Sequence, residues 1–453
     1  MVGSVWRAVL ASAFVLASLL GFATVAAAQD DGQTVGGQLR VEDDSGELVP
    51  VEGAVVAIDG QDEAVTDSEG RWLITVSEGG TYVVVLDPAT LPEGVSLRDI
   101  ARGSLEVLVE PGQSKTVLFA LTTGESIDSS SGDVDSGSSS GSDITGRRVA
   151  QLTVEGLKQG LYLAMAAIGL SLIFGTTGLV NFAHAELVTW GQLTTFFFNY
   201  YGLAGLFGFL APLPGPFGDG VNLIFAALLG MICGGGLGYL LDRGLFRGMR
   251  RSGVSLIAQM VITIGLSILL RYLFLYNFGG NPRFFRDFAS QRAMSIGPVE
   301  ITPKDLTAMI ISIIILVLVG ALLQLTRIGK AMRAVADNRD LAESSGIDVQ
   351  RVISVVWIAG GALAALGGVF FGLDQIKWDF GFRILLLIFA AVTLGGLGTA
   401  YGALVGALTV GLVINLSTLF IDVELKNMVA LLVLVLILLF RPQGILGRPE
   451  RVG

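Results

Sequence analysis

The sequence predicts a polytopic α-helical membrane protein with eight or nine transmembrane helices, preceded by an extracytoplasmic all-β sandwich domain. Composition is the first observation: of 453 residues, 52% are hydrophobic and 15% are charged, whereas soluble domains carry about 25% charged residues. The second is that acidic and basic residues are segregated along the chain. The third is that long apolar runs are concentrated after Val149, while short alternating runs precede it.

Charge divides the chain into two parts. From Gln29 to Asp143 there are 23 Asp and Glu against 5 Lys and Arg, a balance of −18. From Gly146 to the end the balance is +7. This asymmetry indicates two parts in two environments. The basic part suits a membrane whose inner surface favours Lys and Arg, and nothing points to nucleic-acid binding.

Residues 1–28 have the features of an export signal peptide. Arg7 supplies the positive charge, Ala8–Val25 the apolar stretch, and Ala26-Ala27-Ala28 the small-residue cleavage site. The alternative is an uncleaved first transmembrane helix, because the apolar run is near the upper length of a signal. Either way, the segment that follows is expected outside the cytoplasm.

Residues 33–122 alternate short runs rich in Val, Ile, Thr and Tyr with turn sequences, which predicts a small antiparallel sandwich. Its motifs Gly53–Val56, Thr66–Trp72 and Gly80–Tyr82 resemble the carboxypeptidase-regulatory-like sandwich, an accessory fold that implies no catalysis. Asp67 and Glu69 could be taken for a calcium site, but a polar turn with a positive φ at Gly70 is favoured. Residues 123–146 are rich in Ser, Gly and Asp and predict a flexible linker.

Nine apolar runs follow the linker, and a helix needs about 20 such residues to cross about 30 Å of hydrocarbon. The runs are 150–176, 185–210, 221–241, 254–276, 306–325, 352–373, 383–398, 402–420 and 427–440. The run 383–398 is of marginal length, so it is either a short span or a re-entrant segment buried by its neighbours. With an exported N terminus, the basic loops Asp242–Gly253 and Thr326–Arg351 are cytoplasmic.

Several functions are excluded by missing residues. The sequence has no G-x-x-x-x-G-K-[ST] phosphate loop, so we expect no ATP hydrolysis by this chain. A single cysteine, Cys233, and a single histidine rule out a disulfide, a cysteine metal cluster and a Ser-His-Asp triad. The spans are nearly free of the Asp, Glu and His that secondary transporters use as ion sites. We therefore expect no catalytic residue, no metal and no cofactor.

The most notable polar pair is His184 and Glu186, in the stretch Asn181–Glu186 between the first two spans. The expected location is a turn at the membrane interface. There His184 would serve as a helix cap or hydrogen-bond bridge. The alternative is a role in gating or substrate contact, shared with Asn181 and Glu186.

The cytoplasmic loop Thr326–Arg351 is the strongest functional feature. It is long for a connection between membrane helices, and it predicts one amphipathic helix that carries Ala331, Val335 and Ala342 among charged residues. The helix should stop at Gly346, a suitable C-cap. Such a helix suits docking to a soluble partner, and a solvated interfacial helix is the alternative.

Several stretches resemble the branched-chain amino acid ABC permeases of the LivH type. They are Gly160–Tyr162, Gly169–Gly175, Asn181–Glu186, Thr263–Ser267, Gly329–Ala336, Leu394–Gly398 and Arg441–Gly447. The resemblance runs in order from about Gln151 to Arg448, which indicates a permease domain over residues 149–448.

The resemblance implies an importer subunit in the plasma (inner) membrane that translocates branched-chain or related amino acids. Its implied partners are two ABC ATPase subunits, a second LivM-like permease, and an extracytoplasmic solute-binding protein. Arg333, Ala334 and Gly346 match the family's coupling region, which meets the ATPase. Ala185 stands where the family usually has Gly.

The exported sandwich is not part of the usual family plan. Urea-transport permeases of the same superfamily can carry an extra exported N-terminal region. A urea or short-amide permease is therefore one alternative function. A surface module anchored by the helical bundle is another.

Overall fold

The computed structural model describes most of the chain after residue 140 and the strands that precede it. The described residues are 33–42, 48–58, 63–76, 80–92, 94–97, 103–109, 115–117, 119, 121–123, 141–203, 220–287, 291, 293–421, 425–440 and 444–446. The chain divides into two compact units, one of residues 28–139 and the other of residues 1–27 and 140–453. The predicted signal peptide and most of the predicted linker lie outside the described residues.

Short strands make up the first unit. They are β1 (Gln33–Gln38), β2 (Arg40–Glu42), β3 (Leu48–Pro50), β4 (Val55–Ile58), β5 (Glu63–Val65), β6 (Arg71–Val76), β7 (Gly80–Leu86), β8 (Val95–Leu97), β9 (Ser104–Val109), β10 (Lys115–Thr116) and β11 (Leu121–Thr123). The larger sheets have the strand orders β5-β4-β7-β9 and β10-β1-β6, and β2-β3 and β8-β11 form separate pairs. All the pairs are antiparallel except β1 with β10, which is parallel and departs from the antiparallel prediction.

Buried and exposed side chains alternate along the strands, and the buried ones form the core of this unit. In β6 the buried residues Trp72, Ile74 and Val76 alternate with exposed ones, as a strand with one buried face requires. They belong to the same apolar cluster as Val35 of β1 and Val56 of β4, so the two larger sheets share a core.

The predicted polar turn is also present. The Asp67 carboxylate accepts hydrogen bonds from the backbone N–H groups of Glu69 (2.9 Å) and Arg71 (2.8 Å). Gly70 has a φ of 75°, a conformation that favours glycine.

Helices make up the second unit. They are α1 (Gly141–Thr177), α2 (His184–Tyr201), α3 (Leu223–Leu241), α4 (Arg247–Arg251), α5 (Leu256–Phe278), α6 (Pro303–Leu325), α7 (Arg327–Asp337), α8 (Arg339–Ser344), α9 (Val349–Gly372), α10 (Phe380–Gly395), α11 (Ala400–Ser417) and α12 (Lys426–Phe440). A hairpin of β12 (Met294–Ile296) and β13 (Val299–Ile301) precedes α6. Since α1 begins at Gly141, the last residues assigned to the linker are helical.

Each predicted apolar run contains a helix. Within the described residues, six helices are long and apolar enough to cross a membrane: Gly146–Thr177, Leu223–Arg251, Leu256–Phe278, Pro303–Leu325, Val349–Gly372 and Ala400–Ser417. The other three runs correspond to α2, α10 and α12. The 16 residues of α10 give a helix of only about 24 Å at about 1.5 Å per residue.

One predicted loop is wrong. Asp242–Gly253 was expected to be a cytoplasmic loop, but α3 continues through a π-helix (Asp242–Phe246) into α4, which ends at Arg251. Within this helical continuation, Asp242 and Arg250 pair with each other in the protein interior instead of facing water.

Glycine allows the central helices to touch through their backbones. A Cβ atom placed on Gly169 of α1 would lie 2.6 Å from the carbonyl oxygen of Gly360 of α9. A Cβ on Gly191 of α2 would overlap the backbone of Ala365, also in α9. Small residues therefore set the spacing between these helices, as is common in membrane bundles.

Candidate functional site

Two places in the helical unit hold the residues singled out by the sequence. One is the segment between α6 and α9, residues 326–348, called the coupling segment below. The other is a group of buried side chains where α2 begins, Asn181, His184, Glu186, Thr263 and Ser267, called the polar cluster below.

Side-chain caps fix the shape of the coupling segment. Thr326 accepts a hydrogen bond from the Gly329 N–H (3.0 Å), Asn338 from the Leu341 N–H (2.9 Å), and Asp348 from the Arg351 N–H (3.0 Å). These residues cap the N termini of α7, α8 and α9 in turn. The expectation of a single helix is wrong, because Asn338 has extended backbone angles (φ −157°, ψ 107°) and begins a second helix.

The coupling segment has one face against the bundle and one open face. Val335 and Ala342 are buried, in agreement with the predicted amphipathic pattern, whereas the predicted Ala331 is half-buried and the neighbouring Met332 is buried. Two apolar side chains point the other way: Ile328 is 53% exposed and Leu341 is 64% exposed.

The three predicted coupling residues lie along this segment. Arg333 is exposed, with its guanidinium 3.4 Å from the Gln324 carbonyl oxygen at the end of α6. Ala334 is half-buried and packs against the core. Gly346 is exposed and has a φ of 85°, so it supplies the left-handed turn after α8.

A buried ion pair lies beside the coupling segment and was missed from the sequence. Asp242 and Arg250 are 2.5 Å apart, with side chains 0% and 6% exposed. The Ser354 hydroxyl donates to the other Asp242 oxygen (2.7 Å), and Arg250 also reaches Gln350 (3.5 Å). Ser354 and Gln350 lie in the first two turns of α9. The pair therefore ties the ends of α3 and α4 to the helix that leaves the coupling segment.

The polar cluster lies inside the bundle, so the expected location in an interfacial turn is wrong. His184 is fully buried, and its Nε2 lies 3.0 Å from the carbonyl oxygen of Ala166. Ala166 is 11 residues before the end of α1, or roughly 16 Å along the helix axis. Residues 178–183 therefore run back along α1, and α2 begins at mid-depth. Every residue of α2 from His184 to Asn199 is buried.

Hydrogen bonds join the start of α2 to α5. The Phe182 N–H donates to Thr263 (3.2 Å), and the Ser267 hydroxyl donates to Glu186 Oε1 (2.9 Å). His184 donates from Nε2, because a carbonyl oxygen can only accept. The hydrogen-bond bridge expected of this histidine is thus formed, with Ala166 as its partner.

Three polar atoms of the polar cluster have no hydrogen-bond partner among the described residues. They are Asn181 Nδ2, His184 Nδ1 and Glu186 Oε2, on side chains that are all 0% exposed. Glu186 also lacks a cation within ion-pair distance in the described part of the chain. Buried polar groups are normally paired, so the polar cluster is a candidate site for a ligand. Among the described residues, no group of three or more His, Cys, Asp or Glu could hold a metal ion.

Comparison with known proteins covers the helical unit. The family described as "Branched-chain amino acid transport system / permease component" matches residues 152–438. The high-affinity branched-chain amino acid transport system permease protein LivH of Escherichia coli is 30% identical over 312 residues, 66% of this chain and 96% of the relative. The permease protein BraD of Pseudomonas aeruginosa is 28% identical over 309 residues, with the same coverage. LivM of Escherichia coli is 24% identical over 333 residues, 67% of this chain and 72% of the relative. No solved structure matches the chain.

Proposed function

Because the chain belongs to the family of branched-chain amino acid transport permease components, we propose that it carries branched-chain or related amino acids across the inner membrane. It is the transmembrane permease subunit of an ABC importer and not itself an enzyme. ATPase subunits, a second LivM-like permease and a solute-binding protein complete the system. Its similarity to both LivH and LivM supports pairing between two related permeases.

The coupling segment is our candidate for the surface that receives the ATPase. Its support is the geometry: two capped helices expose Ile328 and Leu341 beside the charge of Arg333. Exposed apolar side chains rimmed by charge are typical of protein interfaces. Movement of this surface would pass to α9 through Gly346 and the cap at Asp348, and to α6 through Thr326.

Substitutions in the coupling segment test this assignment. We expect Arg333→Glu to separate ATP hydrolysis from transport, because a reversed charge on the exposed face disturbs docking but not the buried face. Gly346→Val should do the same, since a β-branched residue is strained at φ 85°. The matched control is Glu343→Gln, an exposed change on α8. Uptake and ATPase rates are measured together in proteoliposomes, and normal uptake in both variants would contradict the assignment.

The substrate is tested in the complete importer. Proteoliposomes with ATP on the ATPase side and binding protein on the other should accumulate radiolabelled leucine, with competition from valine and isoleucine. Accumulation of urea but not leucine would replace the proposed substrate class. Leucine uptake without ATPase subunits would refute ATP-driven transport.

We further propose that the strand-rich unit, residues 33–122, lies outside the cytoplasm and holds the solute-binding protein near the permease. The support is the signal-like sequence of residues 1–28 and the strongly acidic composition of the unit. Deleting 33–122 should raise the binding-protein concentration needed for half-maximal uptake. An unchanged concentration dependence would refute the docking role, and intact uptake with loss of cell-surface binding would favour the anchored-module alternative.

A further inference from the structure

Helix α5 is apolar on most of its surface but carries one polar stripe. Gln259, Thr263 and Ser267 are 4%, 0% and 6% exposed, and the half-buried Arg271 continues the series. Spacing of four residues places all of them on one helix face. Side chains on other faces, among them Val261, Ile264 and Ile268, are 63%, 43% and 44% exposed. A membrane helix that turns its polar residues inward and its apolar residues outward lines a polar interior.

This polar stripe shares Thr263 and Ser267 with the polar cluster and contacts the chain at the start of α2. Thr263 accepts from the Phe182 N–H, and Ser267 donates to Glu186. One turn further along α5, the Arg271 guanidinium lies 4.1 Å from the centre of the Phe382 ring in α10. Carboxylate, hydroxyl and guanidinium groups thus follow one another along one seam through the bundle.

Among the described residues, hydrogen-bonding capacity is left unused where this seam meets the start of α2. Leaving a buried polar group without a hydrogen bond is unfavourable, and leaving a buried charge without one is more so. Yet Glu186 Oε2 and Asn181 Nδ2 are fully buried and unpartnered within the described residues. A ligand that brings donors for the Glu186 carboxylate and an acceptor for the Asn181 amide would satisfy both.

We propose that the polar stripe of α5 and the polar cluster line the translocation pathway, and that the Glu186 carboxylate binds the ammonium group of the passing amino acid. Arg271 supplies positive charge for the substrate carboxylate one turn away. This inference rests on the proposed amino acid substrate, but the location of the pathway can be tested without it.

Cysteine labelling tests the location. Since Cys233 is the sole cysteine, Cys233→Ala gives a cysteine-free chain, into which Thr263→Cys or Ser267→Cys is introduced. The matched controls are Ile264→Cys and Ile268→Cys on the exposed apolar side of α5, and Ser295→Cys in the exposed β12–β13 hairpin shows that the reagent works. The probe is a membrane-impermeant, cationic methanethiosulfonate, applied to the complete importer with and without ATP.

We expect Thr263→Cys and Ser267→Cys to be labelled at least tenfold faster during ATP turnover than at rest, and the two isoleucine positions to stay unlabelled. If the stripe cysteines are never labelled while Ser295→Cys is, the pathway lies elsewhere. Equal labelling of stripe and isoleucine positions would also overturn the proposal. Labelling needs no particular substrate, so it separates a wrong pathway from a wrong substrate class.

Two substitutions test the role of the Glu186 charge. Glu186→Gln keeps an oxygen that can accept from Ser267 but removes the charge, whereas Glu186→Asp keeps the charge. We expect leucine uptake to fall at least tenfold in Glu186→Gln and to be partly restored in Glu186→Asp, while the thermal stability of Glu186→Gln stays at or above that of wild type. Wild-type leucine uptake in Glu186→Gln would refute the ammonium contact. A parallel loss of stability and uptake in both variants would assign Glu186 a structural role instead.

Discussion

The ion pair between Asp242 and Arg250 can be removed one partner at a time or as a whole. Both side chains are almost completely buried, and the Ser354 hydroxyl also donates to the Asp242 carboxylate at 2.7 Å. Removing one member of a buried pair costs about 3–5 kcal/mol, because the remaining charge stays in a low-dielectric interior. We therefore expect Arg250→Met to lower the free energy of unfolding by about 3–5 kcal/mol.

Removing both charges should recover most of that loss. Arg250 Nε and Nη1 are buried without partners among the described residues, so the wild-type pair already carries an unrecovered desolvation cost. Replacing the pair by Leu and Met of similar volume removes that cost together with the attraction. The double variant Asp242→Leu/Arg250→Met should lie within about 1 kcal/mol of wild type.

Unfolding by sodium dodecyl sulfate in mixed detergent micelles, followed by circular dichroism, measures the stability of wild type, Arg250→Met, Asp242→Leu and the double variant, which are the four corners of the cycle. The expected coupling between the two positions is several kcal/mol. Additive single effects would refute the buried-pair argument, as would an Arg250→Met variant as stable as wild type.

Two further predictions concern glycines. Gly191→Ala should destabilise the helical unit by about 1–3 kcal/mol, because its Cβ would overlap the Ala365 backbone. The control is Gly236→Ala, which has no atom within 4 Å of the new carbon. Equal melting temperatures of the two variants in detergent would contradict the packing argument. Gly70→Ala should open the strand-rich unit to protease more than Gly53→Ala. Both have positive φ, but only the Gly70 carbon would overlap a backbone atom, the Leu39 carbonyl oxygen. Identical digestion rates would count against this difference.

Positions of helices along the chain were predictable because they depend on local sequence. The run 306–325 corresponds to α6, Pro303–Leu325, and the residue before it, Thr302, caps the helix by accepting from Asp305 (3.3 Å). The burial of Val335 and Ala342 also followed from helical periodicity. Such features depend on neighbours within a few residues, so pattern and capping rules describe them.

Depth in the bundle was not predictable, because it depends on contacts between distant residues. Nothing near His184 in sequence indicates that it meets Ala166, and nothing near Asp242 indicates that Ser354 caps its carboxylate. The four-residue spacing of Gln259, Thr263, Ser267 and Arg271 is visible in the sequence and places them on one helix face. Apolar content predicts α5 as a span but does not indicate which neighbours this polar face meets.

The burial of α2 from His184 to Asn199 has a consequence for how the protein is made. A helix that begins at mid-depth and carries His184, Glu186, Gln192 and Asn199 inward is a poor substrate for insertion on its own. It packs against α3, which follows it directly, and against α9, which begins at Val349, roughly 150 residues later. At about 5–20 residues per second, the ribosome delivers α9 only after on the order of 10 s. During that interval the polar start of α2 has to be sheltered by the insertion machinery or by α1. The bundle's core is therefore completed late in biogenesis, when α9 arrives.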